Sequence, residues 1–213
     1  KEGEVLQYRM KYGFITAAEA TVKVLPSNLK FDGKSVFNLN VNVKTSGSFD
    51  VFYKIRDQYD SYIDKVTMLP YLYQENIREG SYRRQDRASF NQAGKKVVSN
   101  RGTFNTPTRQ TLDLFSSYYF ARSLDLTNIK VGDKFKLNYY LKDGISDLEI
   151  EYLGKETIKT TFGRYNKSSG VCKKCTREKT EEARRVSEEE IKKVKEKETQ
   201  NVNFLKKFRK NIL

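Results

Sequence analysis

Apolar and polar residues alternate with a period of two along most of the first 165 residues, and this period is typical of half-buried β-strands. Residues 6–12 and 18–24 predict an opening hairpin, and a third strand over residues 37–43 follows a turn at Asp32 and Gly33. The same alternation predicts strands over residues 53–63, 81–90, 95–99, 135–141, 148–152 and 158–162.

Proline and helical spacing mark the other predicted elements. Pro70 cannot donate to a sheet ladder, so residues 68–74 are predicted as an edge strand or the start of a strand. Residues 100–110 are predicted to be a loop. Residues 111–122 lack Gly and Pro and carry apolar residues at helical spacing, which predicts one helix. The fold class is therefore mainly β: an antiparallel curved sheet or open barrel with one packed helix.

The composition changes near residue 167. Ser187 and the three glutamates after it resemble a helix start, and a narrow apolar stripe follows at Val194, Val202, Leu205, Phe208 and Ile212. We therefore predict a β domain over residues 1–166 and a charged helical tail over residues 167–213. A dimerising coiled coil, a helix that binds an anionic surface and a solvated, partly ordered extension all remain open for this tail.

The charge of the chain limits its partners only weakly. The 213 residues carry a net charge of +14, which is compatible with an anionic partner, but lysine-rich solvated faces are common and we do not expect nucleic acid. No stretch has the roughly 18 apolar residues of a transmembrane helix, so contact with a membrane would be peripheral. The start at Lys1, without Met, is typical of a mature or trimmed exported protein.

Polar side chains share a strand face with large apolar ones between Tyr53 and Ile63. Polar groups on a packing face must be paired, so this face has a role beyond filling a core. This strand and three arginines supply candidate residues for a ligand-binding cluster, for a polar headgroup or a sugar. Its members are Asp57, Tyr59, Ser61, Asp64, Arg83, Arg84 and Arg122. The favoured interpretation of these residues is an ion-pair network that pins the helix to the sheet.

Catalytic and metal chemistry find little support in the residues. The chain has no His, and Ser116 has no Gly-x-Ser-x-Gly elbow around it, so a hydrolase is the less favoured reading. The acids Asp57 and Asp64 are only a weak glycosidase signal. Cys172 and Cys175 supply half of a zinc site, and a silent pair or local disulfide is the favoured interpretation. We expect no catalytic residue, no metal and no cofactor.

Several short segments, in this order and spacing, resemble the DUF3108 family of exported bacterial proteins of unknown function. The segments are residues 12–20, 45–50, 57–64, 79–84, 113–122, 131–133 and 161–165. They include Tyr12-Gly13-Phe14-Ile15-Thr16 and Asp113-Leu114-Phe115-Ser116-Ser117. The resemblance covers about residues 3–166. Beyond that point the family continues with strands, including one that bears Trp, whereas this chain has no Trp. Residues 167–213 are thus expected either to close the sheet differently or not to be the native continuation.

The resemblance implies a periplasmic or outer-membrane-associated β protein of a Gram-negative bacterium. Our leading hypothesis is a non-catalytic cell-envelope binding or carrier-like module for an apolar or amphipathic ligand. It rests on inward-alternating aromatic residues and a basic exterior and, by fold-level analogy alone, on the half-barrels of lipoprotein carriers. The alternative is a structural or assembly protein of the envelope with no small ligand. Lipid, glycan or an envelope protein are the expected partners.

Overall fold

A computed structural model describes residues 1–12, 15–47, 49–141, 144–160 and 163–172 of the chain. These residues form twelve β-strands and two α-helices, arranged in two sheets. The prediction of a mainly β fold is confirmed.

The large sheet is an antiparallel meander of eight strands in which each strand pairs with its neighbours in sequence. Its strands are β1 (Val5–Tyr12), β2 (Ile15–Phe31), β3 (Lys34–Thr45), β4 (Arg56–Asp64), β5 (Pro70–Glu79), β6 (Tyr82–Asn91), β7 (Lys96–Ser99) and β8 (Gly102–Asn105). A one-turn helix, α1 (Phe49–Phe52), lies between β3 and β4. Among the described strands, β1 and β8 each pair on one side only, so the sheet is open and is not closed into a barrel.

The small sheet has four strands in the order β12, β11, β10, β9. They are β9 (Thr111–Leu112), β10 (Lys134–Leu141), β11 (Gly144–Thr160) and β12 (Gly163–Cys172). The second helix, α2 (Leu114–Ser123), follows β9 directly. β9 and β10 pair in parallel, whereas the other pairs of this sheet are antiparallel.

One face of the large sheet, here called the covered face, packs against α2 and the small sheet. Val24, Leu39 and Ile63 are almost fully buried there against Tyr119 of α2. A second cluster joins Phe90 of β6 to Tyr140 of β10, with neighbours on β5 and β7. The alternation within the strands therefore places most apolar residues in the core, together with a few buried polar residues such as Asp57 and Ser61, and most of the other polar residues on the opposite, outer face.

Several predicted elements are found where the period indicated. The opening hairpin and the Asp32–Gly33 turn are present, with positive φ at both turn residues. Pro70 begins β5, and β5 pairs with both β4 and β6. Of the two alternatives for Pro70, the start of a strand is therefore correct and the edge strand is wrong.

Other boundaries were wrong for local reasons. The strand predicted from residue 53 begins at Arg56, because α1 and a short connection precede it. The predicted loop over residues 100–110 contains β8, whose Phe104 pairs with Val97. The two strands predicted over residues 148–152 and 158–162 belong mainly to one strand, β11, which continues through an irregularity in pairing between Tyr152 and Gly154.

The predicted helix begins three residues late. Asp113 is its N-cap, and the Oδ1 atom accepts hydrogen bonds from the backbone N–H groups of Phe115 and Ser116. Residues 111 and 112 instead form β9, where the Gln92 side chain bonds the backbone of Thr111 through both its amide atoms. A polar cap therefore separates two elements that the apolar spacing had joined.

The small sheet extends past the predicted domain boundary at residue 166. β12 pairs with β11 as far as Cys172, which is partnered by Ile150. Residues 173–213, which carry the predicted charged helix, lie outside the described residues, so that helix stays a prediction.

Candidate functional site

The predicted ligand-binding residues do not form one cluster. Asp57, Tyr59 and Ser61 alternate along β4 on the covered face, as the period predicted. Arg84 of β6 lies on the same face, because it contacts Glu75, which is opposite Tyr59. Asp64, Arg83 and Arg122 lie elsewhere, and each makes its own local contacts, described below.

Ser61 connects the large sheet to the start of α2. Its hydroxyl donates a 2.6 Å hydrogen bond to Oδ2 of Asp113, and both side chains are fully buried. The other carboxylate oxygen of Asp113 caps the helix. Burial raises the pKa of Asp113 above its ordinary value, although the hydrogen bonds from Ser61 and Ser116 oppose that shift. This contact fixes the helix against β4.

Arg84 lies in a buried charged network that joins β5, β6 and β10. Its Nε is 2.7 Å from Oε1 of Glu75, and its Nη2 is 3.7 Å from Oδ2 of Asp86. The side chains of Arg84, Glu75 and Asp86 are 9%, 6% and 0% exposed. The Nε–Oε1 contact is short but not aligned as a hydrogen bond, so it acts as a charge–charge contact.

Two tyrosines complete this network. Tyr73 donates to Oε2 of Glu75, and Tyr140 of the small sheet donates to Oδ2 of Asp86, each at 2.9 Å. Burial raises the pKa of Glu75 and of Tyr73, and it raises the pKa of Tyr140 to about 12. The Tyr140 hydrogen bond ties the two sheets together, so the network joins elements that are distant in sequence.

Arg122 binds the N-terminal segment with both of its terminal nitrogens. They lie 2.9 and 2.7 Å from the carboxylate oxygens of Glu4, and Tyr119 donates to the same carboxylate. The hydrogen bonds of Arg122 lower the pKa of Glu4 to about 2. The Arg122 side chain is 40% exposed, so this pair is screened by solvent.

Asp64 and Arg83 serve local turns. Oδ1 of Asp64 accepts hydrogen bonds from the backbone N–H groups of Val66 and Thr67, just after β4. Arg83 is exposed and donates to the backbone carbonyls of Gly80 and Tyr82. Asp57 accepts from the backbone N–H of Arg78, while the Tyr59 ring packs on Phe115.

The other residues considered for chemistry are also placed. Ser116 completes the cap of α2, because its hydroxyl accepts from the backbone N–H of Asp113. Asp57 and Asp64 are seven residues apart on an extended strand, about 23 Å, which is too far for a glycosidase pair. Cys172 ends β12, and Cys175 lies outside the described residues.

The outer face of the large sheet carries a row of amide side chains that the sequence analysis missed. We call this surface the amide groove, and its amide members are Asn42, Gln58, Gln74, Asn76, Gln85 and Asn100. Cross-strand pairing aligns them, because Asn42 is opposite Gln58, Gln58 is opposite Asn76, and Asn76 is opposite Gln85. Residues paired in this way point to the same side of a sheet.

The amide groove consists of two adjoining cavities. Their volumes are about 280 and 430 Å³, and Gln58 and Asn76 line both of them. Asp60 organises the neighbouring amides, since its carboxylate accepts hydrogen bonds from Asn38, Asn40 and Gln58 at 2.8–3.1 Å. The groove is thus a preformed surface of hydrogen-bonding groups of known orientation.

A sequence signal for the groove did exist. Asn38, Asn40 and Asn42 alternate with Leu39 and Val41 on β3, so three successive positions on one face of this strand are amides. That pattern predicts a polar outer face. Its partners on β4, β5 and β6 required the strand register.

Comparisons with known proteins give a family and no described relative. A family model whose description is "Protein of unknown function (DUF3108)" matches residues 7–204, which is most of the chain. This match continues well beyond residue 166, where the resemblance in the sequence was expected to end. No curated protein and no solved structure matches the chain. Within the described residues, no helix has the length and apolar character needed to cross a membrane.

Proposed function

The chain belongs to the DUF3108 family, and we propose that this member is a non-catalytic binding module of the cell envelope whose ligand lies in the amide groove. The observation that carries the proposal is the alignment of exposed and half-buried amides on four neighbouring strands around two adjoining cavities. A ligand site needs accessible, oriented polar groups at the surface, and the groove provides them.

The packing of the covered face favours the outer face as the binding surface. α2 packs on the face of β2, β3 and β4, and Tyr140 and Ile145 of the small sheet pack on β5, β6 and β7. Buried polar groups of that face contact other groups within the fold, as Ser61 does with Asp113 and Glu75 does with Arg84. They therefore serve the cohesion of the fold in this proposal, and the accessible polar groups serve binding.

The non-catalytic character rests on the engagement of the candidate reactive groups. Ser116 is a helix-capping residue, and the buried carboxylates Glu75 and Asp86 are paired with Arg84 and Arg101. The envelope location rests on the family resemblance described from the sequence. We also propose that the large sheet is curved and that a helical tail follows residue 172.

The test is recovery of a ligand after export of the chain to the periplasm of a Gram-negative host. Native mass spectrometry of the purified protein should show a bound species, or one acquired from a solubilised envelope extract. The double variant Gln58→Ala/Asn76→Ala should abolish binding. Gln110 is an exposed amide on a loop outside the groove, so Gln110→Ala should retain binding. Repeated recovery of the chain without a ligand would contradict the proposal and favour a structural or assembly role.

A second candidate is the apolar or amphipathic ligand expected from the sequence, held at the edge of the covered face. Tyr8 and Met10 of β1 and Tyr118 of α2 are 43%, 48% and 46% exposed, and the hydroxyls of Tyr8 and Tyr118 are 3.0 Å apart. Such an apolar rim can contact lipid or an envelope protein. Lipid should then co-purify with the chain and with the groove variant, but not with Met10→Ser. This result would favour the apolar rim over the groove as the binding site.

A further inference from the structure

We propose that the amide groove binds a neutral oligosaccharide. This inference rests on the proposed function and names the chemical class of its ligand. Its support comes from three independent properties of the groove: the hydrogen-bonding capacity of its side chains, its charge balance and an aromatic side chain at one end.

The groove offers donors and acceptors in alternation. Each amide carries two N–H donors and one carbonyl acceptor, which matches a sugar hydroxyl that both donates and accepts. Gln58 and Asn42 each use one N–H group on a neighbour, through Asp60 and Asn40. Among the described residues, the side chains of Gln74 and Gln85 have no hydrogen-bond partner, so their amides are available to a ligand.

The groove has no excess of positive charge, although the chain as a whole carries +14. The acidic residues that line the two cavities are Glu19, Asp57, Asp60, Glu75 and Asp86. The basic residues that line them are Lys44, Arg56, Arg78 and Arg87. Glu75 and Asp86 also contact Arg84 and Arg101, and Arg56 also contacts Asp50. With these partners counted, six acids face six bases, so the groove gives no net attraction for an anion. An uncharged ligand fits this surface better than a phosphate or a uronic acid polymer.

An aromatic side chain adjoins one end of the groove. Tyr62 lies two residues beyond Asp60 on β4, about 7 Å along the same outer face, and it is opposite Asn38. Its ring packs against Phe31, which stacks on Tyr71 at 5.2 Å. This support holds the ring in place, so its free surface can pack against the C–H face of a sugar ring while the amides bind hydroxyls.

The size of the site suits a chain of several sugars. The two cavities share Gln58 and Asn76, so one extended ligand can occupy both. The volume of about 430 Å³ lies within the range of small-molecule sites, roughly 300–1,000 Å³, and the volume of about 280 Å³ lies just below it.

The experiment is binding of the full chain to an array of immobilised oligosaccharides that includes neutral hexose and N-acetylhexosamine chains beside uronic acid and phosphorylated chains. We expect retention on one or more neutral chains, with little change between low and physiological salt because no charge attraction is involved. Titration calorimetry with the matching soluble hexasaccharide then gives the affinity.

Variants localise the binding. Gln58→Ala and Asn76→Ala should each weaken the sugar affinity by about tenfold, which is the loss of one or two hydrogen bonds. Tyr62→Phe should retain it because the ring remains, and Gln110→Ala should retain it as the remote control. Thermal unfolding of each variant identifies any that fail to fold, and for those Gln58→Glu and Gln85→Ala take their place.

The outcomes separate this inference from the proposed function. Binding only to charged chains would overturn the oligosaccharide assignment. Binding to neutral chains that the groove variants retain at full affinity would overturn it as well. A groove-dependent ligand recovered from the envelope that contains no sugar would overturn it while leaving the binding module in place. The absence of any ligand in both experiments would overturn both.

Discussion

Replacement of Arg84 by Met tests the energetic weight of the buried charged network. The change removes the cation next to Glu75 and Asp86, whose side chains are 6% and 0% exposed, but keeps most of the buried aliphatic stem. Removing one partner of a buried ion pair leaves uncompensated charge and destabilises a protein by about 3–5 kcal/mol. Arg101 still lies 3.7 Å from Asp86 and offsets part of this loss, so we expect about 3 kcal/mol.

The neighbouring residue provides a matched control. Arg83 is exposed and donates only to backbone carbonyls, so Arg83→Met should change the free energy of unfolding by about 0.5 kcal/mol or less. Urea unfolding, followed by circular dichroism, measures both. With an m-value of about 2 kcal/mol/M, the midpoint of Arg84→Met should fall by about 1.5 M relative to the unmodified chain.

The pH dependence gives a second readout. Burial raises the pKa of Glu75, and the charge of Arg84 opposes this shift, so loss of Arg84 raises that pKa further. The folded variant therefore binds a proton at a pH where the unfolded chain does not, and protonation relieves the buried charge. The stability deficit of Arg84→Met should shrink as pH falls below neutral towards the raised pKa of Glu75. Equal midpoints for the two variants, or a deficit independent of pH, would refute the reasoning.

Three further changes have expected outcomes. Ser61→Ala should lower the unfolding free energy by about 1.5–3 kcal/mol, because the 2.6 Å hydrogen bond to buried Asp113 is lost. Ser123→Ala removes only a local hydrogen bond at the end of α2 and should change this free energy far less, so equal losses would contradict the prediction. Arg122→Ala should lower the unfolding free energy by about 1 kcal/mol or less at neutral pH. Because Arg122 lowers the pKa of Glu4 from 4.5 to about 2, the difference between the two proteins should fade as the pH falls through this interval, which acid titrations of both proteins measure. Gly80→Ala should destabilise the folded chain more than Gly47→Ala. Both glycines have positive φ, near +56° and +53°, but of these two only Gly80 would place its new Cβ close to another residue, 3.0 Å from the Tyr53 side chain. Equal melting temperatures of the two variants would disprove this steric argument.

The strands could be predicted because their information is local. A period of two is visible within each of β2, β3 and β4, and short turns such as Asp32–Gly33 fix the pairing of neighbours. The start of α2 could not be placed from apolar spacing, since Thr111 and Leu112 fit a helix in sequence and are held as a strand by Gln92. Tertiary hydrogen bonds overrode local preference there.

The site residues were harder to predict because their partners are distant. Alternation placed Asp57 and Ser61 on a packing face correctly, but it could not identify Asp113, 52 residues away, as the partner of Ser61. Arg122 binds Glu4 across 118 residues and so never joined the β4 residues. The amide groove was visible in part on β3, and only the register across four strands brings Gln58, Asn76 and Gln85 beside Asn42.

The sequential order of the large sheet has a consequence for how the chain folds. Every strand from β1 to β8 finds its partners next to it in sequence, so each hairpin closes a short loop and the entropy loss at each step is small. The contacts of Ser61 with Asp113 and of Tyr140 with Asp86 close loops of more than 50 residues, so we expect them to form later during folding. In native-state hydrogen exchange we therefore expect the amides of β3, β4 and β5 to open last and α2 with the small sheet to detach first as a unit.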